Sequence, residues 1–437
     1  MITTINNKHK KLNFSSEREQ SQACLNSAEH EKNQGRKVLN VPNLRFPEFE
    51  EEWEKQKLCD ISSIVGRIGF RGYATNDIVE KGMGAIALSP TNIVNNQLTY
   101  DKDNTYISMS KYEESPEIMI KRGDVIFVKT GSTVGKVAYV DKMICKTTLN
   151  PQVVVLKDIK CDNYILSVIM STRNFQNKIQ RITVGGAVPT LSQVAMGNIF
   201  ISLPAAKEQE KISKFISLLD ERITTQNKII EDLKKLKSAI IDYAINSLNT
   251  DFAKFGSLYE MAGEGGTPTT SNASFYDNGK IPFIKIDDLK QKYLTENKDF
   301  ITELGLQKSS AWLVPTRSIL FSNGATIGEI TITTYPVCTK QGILGIVPKQ
   351  NIDVEFLYYF MSSSYFKKAV SRIVTEGTMK TAYLKDINNI LCPIPTKEKQ
   401  QEIAEMPSAL NSKIDFEQSI LKLFCSQKQH LLRQMFI

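Results

Sequence analysis

Residues 207–248 read KEQEKISKFISLLDERITTQNKIIEDLKKLKSAIIDYAINSL and contain neither glycine nor proline. Apolar side chains recur every seven residues at two positions along this stretch. One position holds Ile212, Leu219, Leu233 and Ile240, and the other holds Ile216, Ile223, Ile230 and Ala244. The spacing predicts one amphipathic helix about 63 Å long, at ~1.5 Å per residue. A helix of this length needs a partner along its apolar seam.

The same pattern returns 191 positions later, where PTKEKQQEI (395–403) corresponds to PAAKEQEKI (204–212). The second seam holds Ile403, Leu410, Phe424 and Leu431 at one position, and Ile414, Leu421 and Met435 at the other. Its polar interruptions, Glu417 and Lys428, correspond to Gln226 and Lys237 of the first seam. A copied seam with copied interruptions indicates an internal duplication.

One residue departs from this repeat. Pro407 stands where the first copy has Ile216. Proline inside a helix removes a backbone hydrogen bond and costs about 3 kcal/mol. We therefore expect the second helix either to start near Pro407 or to be kinked there.

The segment before each helix is rich in short β-branched runs. Examples are DVIFV (124–128), KVAYV (136–140) and QVVVL (152–156), with glycine and asparagine turns between them. Such runs predict strands, and a helical stretch from Tyr164 to Ile179 is expected to pack on them. Because TGSTVGKV (130–137) returns as NGATIGEI (323–330), the β-rich domain is duplicated together with its helix.

The predicted fold class is α+β, with two homologous β-rich domains separated by two long helices. The nearest partner for each seam is the other helix, so we expect an antiparallel intramolecular coiled coil with a pseudo-two-fold relation. Its polar layers would fix the register. The expected segments are a flexible N-terminal extension (1–38), the first domain (39–205), a central helix (206–248), the second domain (249–396) and a C-terminal helix (397–437).

The amino-acid composition limits the classes of function that the chain can have. The 437 residues carry a formal charge of +8, and no apolar run approaches the ~20 residues of a membrane helix, so we expect a soluble, cytoplasmic protein. The only histidines are His9, His30 and His430, and none of the seven cysteines forms a CxxC pair. Any catalytic triad or zinc site in the middle of the chain would therefore have to work without imidazole, which counts against most hydrolases, and a zinc knuckle is not indicated.

Three sequence patterns resemble catalytic motifs, and each also has a simpler interpretation. GSTVGK (131–136) has three residues between its glycines, where a phosphate loop needs four, so a tight glycine turn is favoured. Asn150-Pro151-Gln152 lacks the second proline and the aromatic residue of an adenine-methyltransferase motif, and it is interpreted as a turn. A carboxylate set at Asp287, Asp288 and Glu296, with Lys298, has no counterpart in the first copy, which favours a solvated face over a metal nuclease.

Several motifs occur in the order typical of one known family. They are VPNLRFPEFEEEWEKQKLCDI (41–61), GRIGFRGY (66–73), GDVIFVKTGSTVGKVAYV (123–140), LPAAKEQEKI (203–212), FGSLYEMAGEGGTPTTSNASFYDNGKIPFIKIDDL (255–289) and PIPTKEKQQEI (393–403). Together with the duplication, they make residues 40–437 resemble the specificity (S) subunit of type I restriction-modification systems. Residues 1–38 match nothing in that pattern.

The resemblance implies a function. Each β-rich domain would be a target-recognition domain that reads one half of a bipartite double-stranded DNA sequence. The two helices would set the distance between half-sites and dock the methyltransferase (modification) subunits, two in number. Those subunits would methylate adenine with S-adenosylmethionine, and restriction subunits would translocate and cut DNA with ATP and Mg²⁺. The chain itself would be non-catalytic and hold no cofactor.

Contact with DNA requires basic side chains for phosphates and hydrogen-bonding side chains for base edges. The candidates lie in loops beside the glycine turns. They are Arg67, Arg71, Tyr73, Lys129, Thr130, Ser132, Lys136 and Lys146 in the first copy, and Lys285, Asn323, Thr326, Lys340, Gln341, Thr378 and Lys380 in the second. For each of them, a solvated surface residue is the alternative interpretation.

Two other classes of function are left open by the residues. One is a structural adaptor whose domains bind proteins through their β edges. The other is a stand-alone hydrolase or nuclease, which the missing histidine and metal-ligand clusters disfavour.

Overall fold

The computed structural model describes residues 40–100, 104–324, 326–374 and 380–437. The predicted extension 1–38 and the candidate residue Thr378 lie outside the described residues. Contacts divide the chain into two units. Unit 1 comprises the chain up to Asp220 together with Ser426–Ile437, and unit 2 comprises Glu221–Cys425.

Unit 1 is built on two sheets and a short ribbon. Its strands are β1 (Glu54–Lys57), β2 (Ser63–Gly66), β3 (Ile78–Val79), β4 (Ala85–Leu88), β5 (Ile93–Val94), β6 (Gln97–Leu98), β7 (Thr105–Ile107), β8 (Val125–Val128), β9 (Val137–Tyr139), β10 (Thr147–Leu149), β11 (Val153–Lys157) and β12 (Phe200–Leu203). The large sheet has the order β2-β11-β8-β9-β6-β5, the smaller one has the order β10-β4-β7-β3, and β1 pairs with β12. Strands β8 and β11 are buried on both faces, which explains their uninterrupted valine and isoleucine runs.

Most helices of unit 1 pack against one face of the large sheet, and the helix at 109–113 packs against the smaller sheet. These helices are α1 (Leu58–Ile61), α2 (Met109–Glu113), α3 (Asn163–Ser171), α4 (Arg173–Ile182) and α5 (Gln193–Gly197). Helix α3 begins where the Asp162 carboxylate accepts a hydrogen bond from the Ile165 amide at 2.7 Å, as a helix N-cap does. Its Ile165 and Leu166 are fully buried in the same apolar cluster as Phe127 of β8.

Unit 2 repeats this plan. Its strands are β13 (Phe252–Lys254), β14 (Tyr259–Glu264), β15 (Ile281–Ile284), β16 (Tyr293–Leu294), β17 (Asp299–Ile301), β18 (Ile319–Ser322), β19 (Ile330–Thr333), β20 (Cys338–Thr339), β21 (Ile343–Pro348) and β22 (Leu391–Pro393). Its short helices are α7 (Glu303–Gln307), α8 (Val354–Ser362), α9 (Ser364–Ile373) and α10 (Leu384–Ile387). The order β14-β21-β18-β19-β16 matches β2-β11-β8-β9-β6 of unit 1, and β13 pairs with β22 as β1 does with β12.

The two long helices are α6 (Ala206–Asn246) and α11 (Lys397–Met435). In unit 1, Ile212 and Ile216 of α6 share an apolar cluster with Met435 of α11. In unit 2, Gln226 of α6 bonds to Glu417, and Lys237 bonds to Asn411 at 2.9 Å. As the number rises along α6, its partner's number falls along α11. The helices are therefore antiparallel within each unit, and the predicted α+β fold with two homologous domains and paired long helices is confirmed.

All twelve predicted seam residues are buried or half-buried. The polar interruptions of the seam find polar partners. Gln226 Nε2 donates to the Glu417 carbonyl at 3.1 Å and also to its carboxylate, so this interruption meets its own counterpart from the other copy. Lys428 Nζ donates to the carboxylate of Asp220 in unit 1. A polar group inside an apolar seam is costly unless it is paired, so these contacts favour one register.

Pro407 does not mark the start of the second helix. Helix α11 begins at Lys397 and continues through Pro407, whose side chain is buried. The expectation of a start near Pro407 was wrong. Proline lacks only its own amide donor, and packing of the surrounding helix compensates for one missing bond.

The same joint ties each long helix to its domain. In unit 1, Gln209 Oε1 accepts from the Asp162 amide at 2.8 Å and Gln209 Nε2 donates to the Pro204 carbonyl at 2.8 Å. In unit 2, Gln400 Oε1 accepts from the Asp353 amide at 2.7 Å and its Nε2 donates to the Pro395 carbonyl at 3.0 Å. Each glutamine therefore links the first turn of a long helix to the N-cap of the helix packed on the sheet.

None of the helices among the described residues has the length and apolarity needed to cross a membrane.

We expect Gln226→Leu to lower the melting temperature by several degrees, because the substitution leaves the Glu417 carboxylate facing an apolar side chain. The double variant Gln226→Leu/Glu417→Leu should recover most of the loss, since two leucines continue the seam. Calorimetry on the full chain measures both, with Thr224→Leu, exposed on the same helix, as the matched control. A double variant as unstable as the single one would contradict the polar pairing.

Candidate nucleic-acid interface

The turn that follows β8 is shaped by glycine. Gly135 has a φ of +100°, and a Cβ at this position would lie 2.3 Å from Oε1 of Gln176. Gln176 Nε2 donates to the Gly135 carbonyl at 2.8 Å, which fastens the turn to helix α4. The motif 130–136 is thus a tight strand-to-strand turn held against a helix, as its spacing predicts.

Backbone hydrogen bonds join this turn to two neighbouring segments. The Lys129 amide donates to the Gln152 carbonyl at 2.9 Å, the Gly131 amide donates to the Pro189 carbonyl at 2.9 Å, and the Leu191 amide donates to the Lys129 carbonyl at 2.8 Å. Residues 129–136, 150–152 and 184–191 therefore form one connected surface, which we call the unit 1 loop frame.

Arg67 is buried next to this frame and is not exposed on its surface. Its side chain is 6% exposed and donates to the Leu149 carbonyl at 2.9 Å, the Arg71 carbonyl at 3.1 Å and Thr148 Oγ1 at 3.1 Å. Burial lowers the pKa of its guanidinium below the ordinary arginine value. Because Nε, Nη1 and Nη2 each donate to a group inside the domain, Arg67 positions the 67–73 segment.

Of the other two residues of that segment, Tyr73 bonds to the frame and Arg71 bonds to the 114–117 segment beside it. Arg71 Nη1 donates to the Glu114 carbonyl at 3.2 Å and lies 3.5 Å from the Glu117 carboxylate. Asn150 Nδ2 donates to the Tyr73 hydroxyl at 2.9 Å. The predicted cluster Arg67, Arg71 and Tyr73 is thus brought together with the turn at 150–152.

The remaining unit 1 candidates differ in what they offer to a partner. Ser132 and Lys146 are exposed, and Lys129 and Thr130 are half-buried at the frame surface. Lys136 Nζ donates to the Ile93 carbonyl at 3.2 Å. Exposed hydroxyl and ammonium groups on a fixed backbone are the groups that bind phosphates and base edges.

Unit 2 contains the corresponding surface. The Asn323 amide donates to the Gly342 carbonyl at 3.0 Å, and the Ala382 amide donates to the Asn323 carbonyl at 2.9 Å. The Gln341 amide donates to Thr267 Oγ1 at 3.3 Å. Segments 322–324, 326–328, 340–342 and 380–382 therefore meet, and we call them the unit 2 loop frame.

The GGTP element (265–268) packs closely against the backbone next to this frame. A Cβ on Gly265 would lie 2.2 Å from the Thr339 carbonyl oxygen, so only glycine allows the backbone to approach this closely.

The unit 2 candidates also divide into side chains that bond within the domain and side chains that are exposed. The side chain of Asn323 is buried and donates to the Ala382 carbonyl at 3.2 Å, so it holds the frame together. Lys285 Nζ pairs with the Asp299 carboxylate at 2.7 Å on the surface. The candidates that the structure leaves exposed on the frame are Thr326, Lys340, Gln341 and Lys380.

Equivalent positions of the two frames carry different side chains. A bulge after Tyr259 shifts the register of β14 by one residue, so Gly66 of unit 1 corresponds to Glu264 of unit 2 and Arg67 corresponds to Gly265. Glu264 Oε1 accepts from the Gly342 amide at 2.9 Å. Lys136 corresponds to Glu329. The two copies thus keep one backbone frame and change its chemistry.

The sequence reasoning missed two apolar side chains beside the unit 1 frame. Val184 and Val188 flank a glycine turn in a small hairpin closed by Thr190, and they are 69% and 59% exposed. The glycines at 185 and 186 signalled the turn, but nothing in the sequence signalled that these valines would face solvent. An exposed methyl group can contact sugar or the methyl group of thymine.

The carboxylate set near residue 287 is partly ion-paired. Asp287 of the weighed carboxylate set pairs with Lys290 at 2.7 Å, and the described residues contain no group of three potential metal ligands. Burial raises the pKa of the Cys338 thiol, two residues from Lys340, to about 11, so this thiol stays protonated at neutral pH.

The family of the type I restriction modification DNA specificity domain matches this chain twice, at residues 50–235 and 249–423. The chain therefore belongs to that family and is a type I restriction-modification specificity subunit, as the resemblance indicated. The HindI type I restriction enzyme specificity subunit of Haemophilus influenzae is 20% identical over 410 residues, covering 75% of this chain and 86% of that protein.

Solved structures share the fold. The S subunit of a type I restriction-modification system from M. genitalium aligns with a TM-score of 0.52 and 16% identity, over 91% of this chain and 99% of that one. A chain from work on complex assembly and conformational transition of the type I system aligns with a TM-score of 0.54 and 16% identity, over 88% and 97%.

We expect Gly135→Ala to destabilise unit 1 by about 1–3 kcal/mol, because alanine is strained at this positive φ and its methyl group meets Gln176. Hydrogen exchange of 125–139 measures the effect. Gly186→Ala is the matched control, since a Cβ there has no atom within 4 Å. Equal protection in both variants would contradict the clamped turn.

Proposed function

We propose that this chain determines the DNA sequence recognised by a type I restriction-modification complex. The domains at 39–205 and 249–396 each read one half of a bipartite target through their loop frames. The observation that carries the proposal is the presence of two DNA specificity domains, each with a polar loop frame on its own rigid sheet.

The differences between the frames support two separate half-sites. Unit 1 offers Lys129, Thr130, Ser132 and Lys146, and unit 2 offers exposed threonine, glutamine and lysine side chains at other places on the frame. A shared backbone fixes the approach to the duplex, and different side chains select different bases.

The outer surface of the long helices supports docking of the modification subunits. On α6, Ile229, Leu236 and Tyr243 follow one another at seven-residue spacing and are 40%, 48% and 77% exposed. On α11, Phe416 and Leu423 repeat the spacing and are 60% and 69% exposed. Apolar rows of this kind bind amphipathic helices of a partner.

The proposal assigns a separate activity to each type of subunit in the complex. Two modification subunits methylate adenine with S-adenosylmethionine, and restriction subunits translocate and cleave DNA with ATP and Mg²⁺. This chain supplies specificity, holds no cofactor of its own and acts in the cytoplasm, where its DNA substrate is.

The proposal is tested on the chain assembled with its modification subunits. Methylome sequencing of cells that express the complex identifies the methylated sequence. In titrations at physiological salt, we expect binding to that sequence to be at least about 10³-fold tighter than to a duplex with scrambled half-sites. Equal affinity for both duplexes would reduce the interaction to unspecific charge binding and contradict the proposal.

Single lysine variants separate phosphate contact from base contact in the same titration. We expect Lys129→Ala or Lys146→Ala to weaken binding to both duplexes if the replaced lysine contacts only phosphate. The slope of log affinity against log salt concentration should then fall by about 0.9. Lys214→Ala, exposed on α6 of the same unit, is the matched control and should leave the slope unchanged.

The helices are proposed to set the spacing between half-sites. Inserting one heptad into both helices at the Gln226–Glu417 level preserves the seam and adds about 10 Å at ~1.5 Å per residue. We expect the preferred gap in the methylated sequence to lengthen by about three base pairs, at ~3.4 Å per pair, while each half-site stays the same. An unchanged gap would contradict the spacer role.

A further inference from the structure

The duplication creates two equivalent grooves at the start of the long helices, and in unit 1 this groove is filled. Residues 41–49, VPNLRFPEF, lie across the first turns of α6 and the last turns of α11. Arg45 Nε and Nη2 each donate to the Glu208 carboxylate at 2.7 Å. The Leu44 amide donates to the Gln434 carbonyl at 2.9 Å, so both helices hold the segment.

An aromatic residue completes the filling of the first groove. Phe46 packs edge-to-face on Phe215 with ring centroids 6.0 Å apart. Lys211 Nζ lies 4.6 Å from the Phe46 centroid and pairs with the Glu48 carboxylate. The side chains that the groove contacts at positions 44, 45, 46 and 48 are therefore apolar, basic, aromatic and acidic, in that order.

In unit 2 the equivalent residues line a groove of about 600 Å³. The residues that correspond to Pro204, Glu208, Lys211, Ile212 and Phe215 at the shift of 191 are Pro395, Lys399, Glu402, Ile403 and Met406. Those that correspond to Leu431, Gln434 and Met435 are Ile240, Tyr243 and Ala244. We call this the unit 2 groove.

Within unit 2, the described residues leave this groove uncovered. Met406 is 58% exposed, although its counterpart Phe215 is half-buried under Phe46. Tyr243 is 77% exposed. Large apolar side chains on both rims of a concave surface mark a site for another polypeptide.

The charges of the unit 2 groove are inverted relative to unit 1. The acid that receives Arg45 is replaced by Lys399, and the base that receives Glu48 is replaced by Glu402. Lys399 and Glu402 pair only with each other, at 2.7 Å on the surface, among the contacts of the described residues. A second copy of residues 41–49 would place Arg45 against Lys399 and Glu48 against Glu402, so like charges would meet at both points.

We propose that the unit 2 groove binds an extended segment of a partner protein that carries an apolar, an acidic and an aromatic residue in succession, followed by a base. This segment is the charge-inverted equivalent of residues 44–48. Its carboxylate contacts Lys399, its aromatic ring packs on Met406 and Tyr243, and its base contacts Glu402. The proposal depends on the internal repeat and not on the role in DNA recognition.

The test uses two labelled nonapeptides and the full chain. One peptide is VPNLRFPEF, and the other carries Arg45→Glu and Glu48→Lys. Because two like-charge contacts become two opposite-charge contacts, we expect the inverted peptide to bind about tenfold more tightly in fluorescence anisotropy titrations. Tyr243→Ser/Met406→Ser should abolish its binding, and both residues are exposed, so the fold is retained.

A charge swap in the groove provides the matched control. The variant Lys399→Glu/Glu402→Lys recreates the charges of unit 1 and should reverse the preference in favour of VPNLRFPEF. Lys422→Glu, exposed elsewhere on α11, should leave both affinities unchanged. Absence of saturable binding by the inverted peptide, or equal affinity for the two peptides, would overturn the proposal. A preference of the unaltered chain for VPNLRFPEF would overturn it in favour of a second copy of this chain.

Discussion

Burial of the apolar seam on each long helix is the constraint on which the rest of the structure depends. A helix of 41 residues with one apolar side is stable in water only when that side packs against something. In unit 1, Ile212 and Ile216 are buried in the domain core together with Met435 of the other helix. In unit 2, Ile241 and Ala404 join the core in the same way. The helices therefore belong to the cores of both units.

Two kinds of polar contact make this packing specific. Gln226 and Glu417 meet inside the seam, where another register would bury the Gln226 amide without this partner. Gln209 and Gln400 then bind each helix start to the N-cap of a helix on the sheet, with the same pair of hydrogen bonds in both units. A domain joined to its helix at a fixed point presents its loop frame in a fixed direction relative to that helix. This arrangement fits the proposed role of the helices in setting the spacing between half-sites.

The repeat keeps its backbone and changes its side chains. Arg67 and Gly265 occupy equivalent positions: the arginine donates to the Leu149 carbonyl, whereas the glycine lets the backbone approach the Thr339 carbonyl closely. The grooves at the helix starts differ in the same manner, since Glu208 became Lys399 while the surrounding proline and isoleucine were retained. The duplication therefore keeps one architecture and presents different chemistry at equivalent places.

The duplication, the antiparallel seam and the glycine turns follow from the sequence alone, because periodic apolar residues and glycines act through neighbours a few positions away. The fate of individual polar residues does not. Arg67 and Asn323 were candidates for contact with DNA, yet both side chains are buried in hydrogen bonds to backbone 82 and 59 positions away along the chain. Likewise, packing around Pro407 decided that helix α11 continues through it. Burial and hydrogen bonding between distant segments are settled only when the chain is folded, and they determine which of the basic and polar residues remain available to a partner.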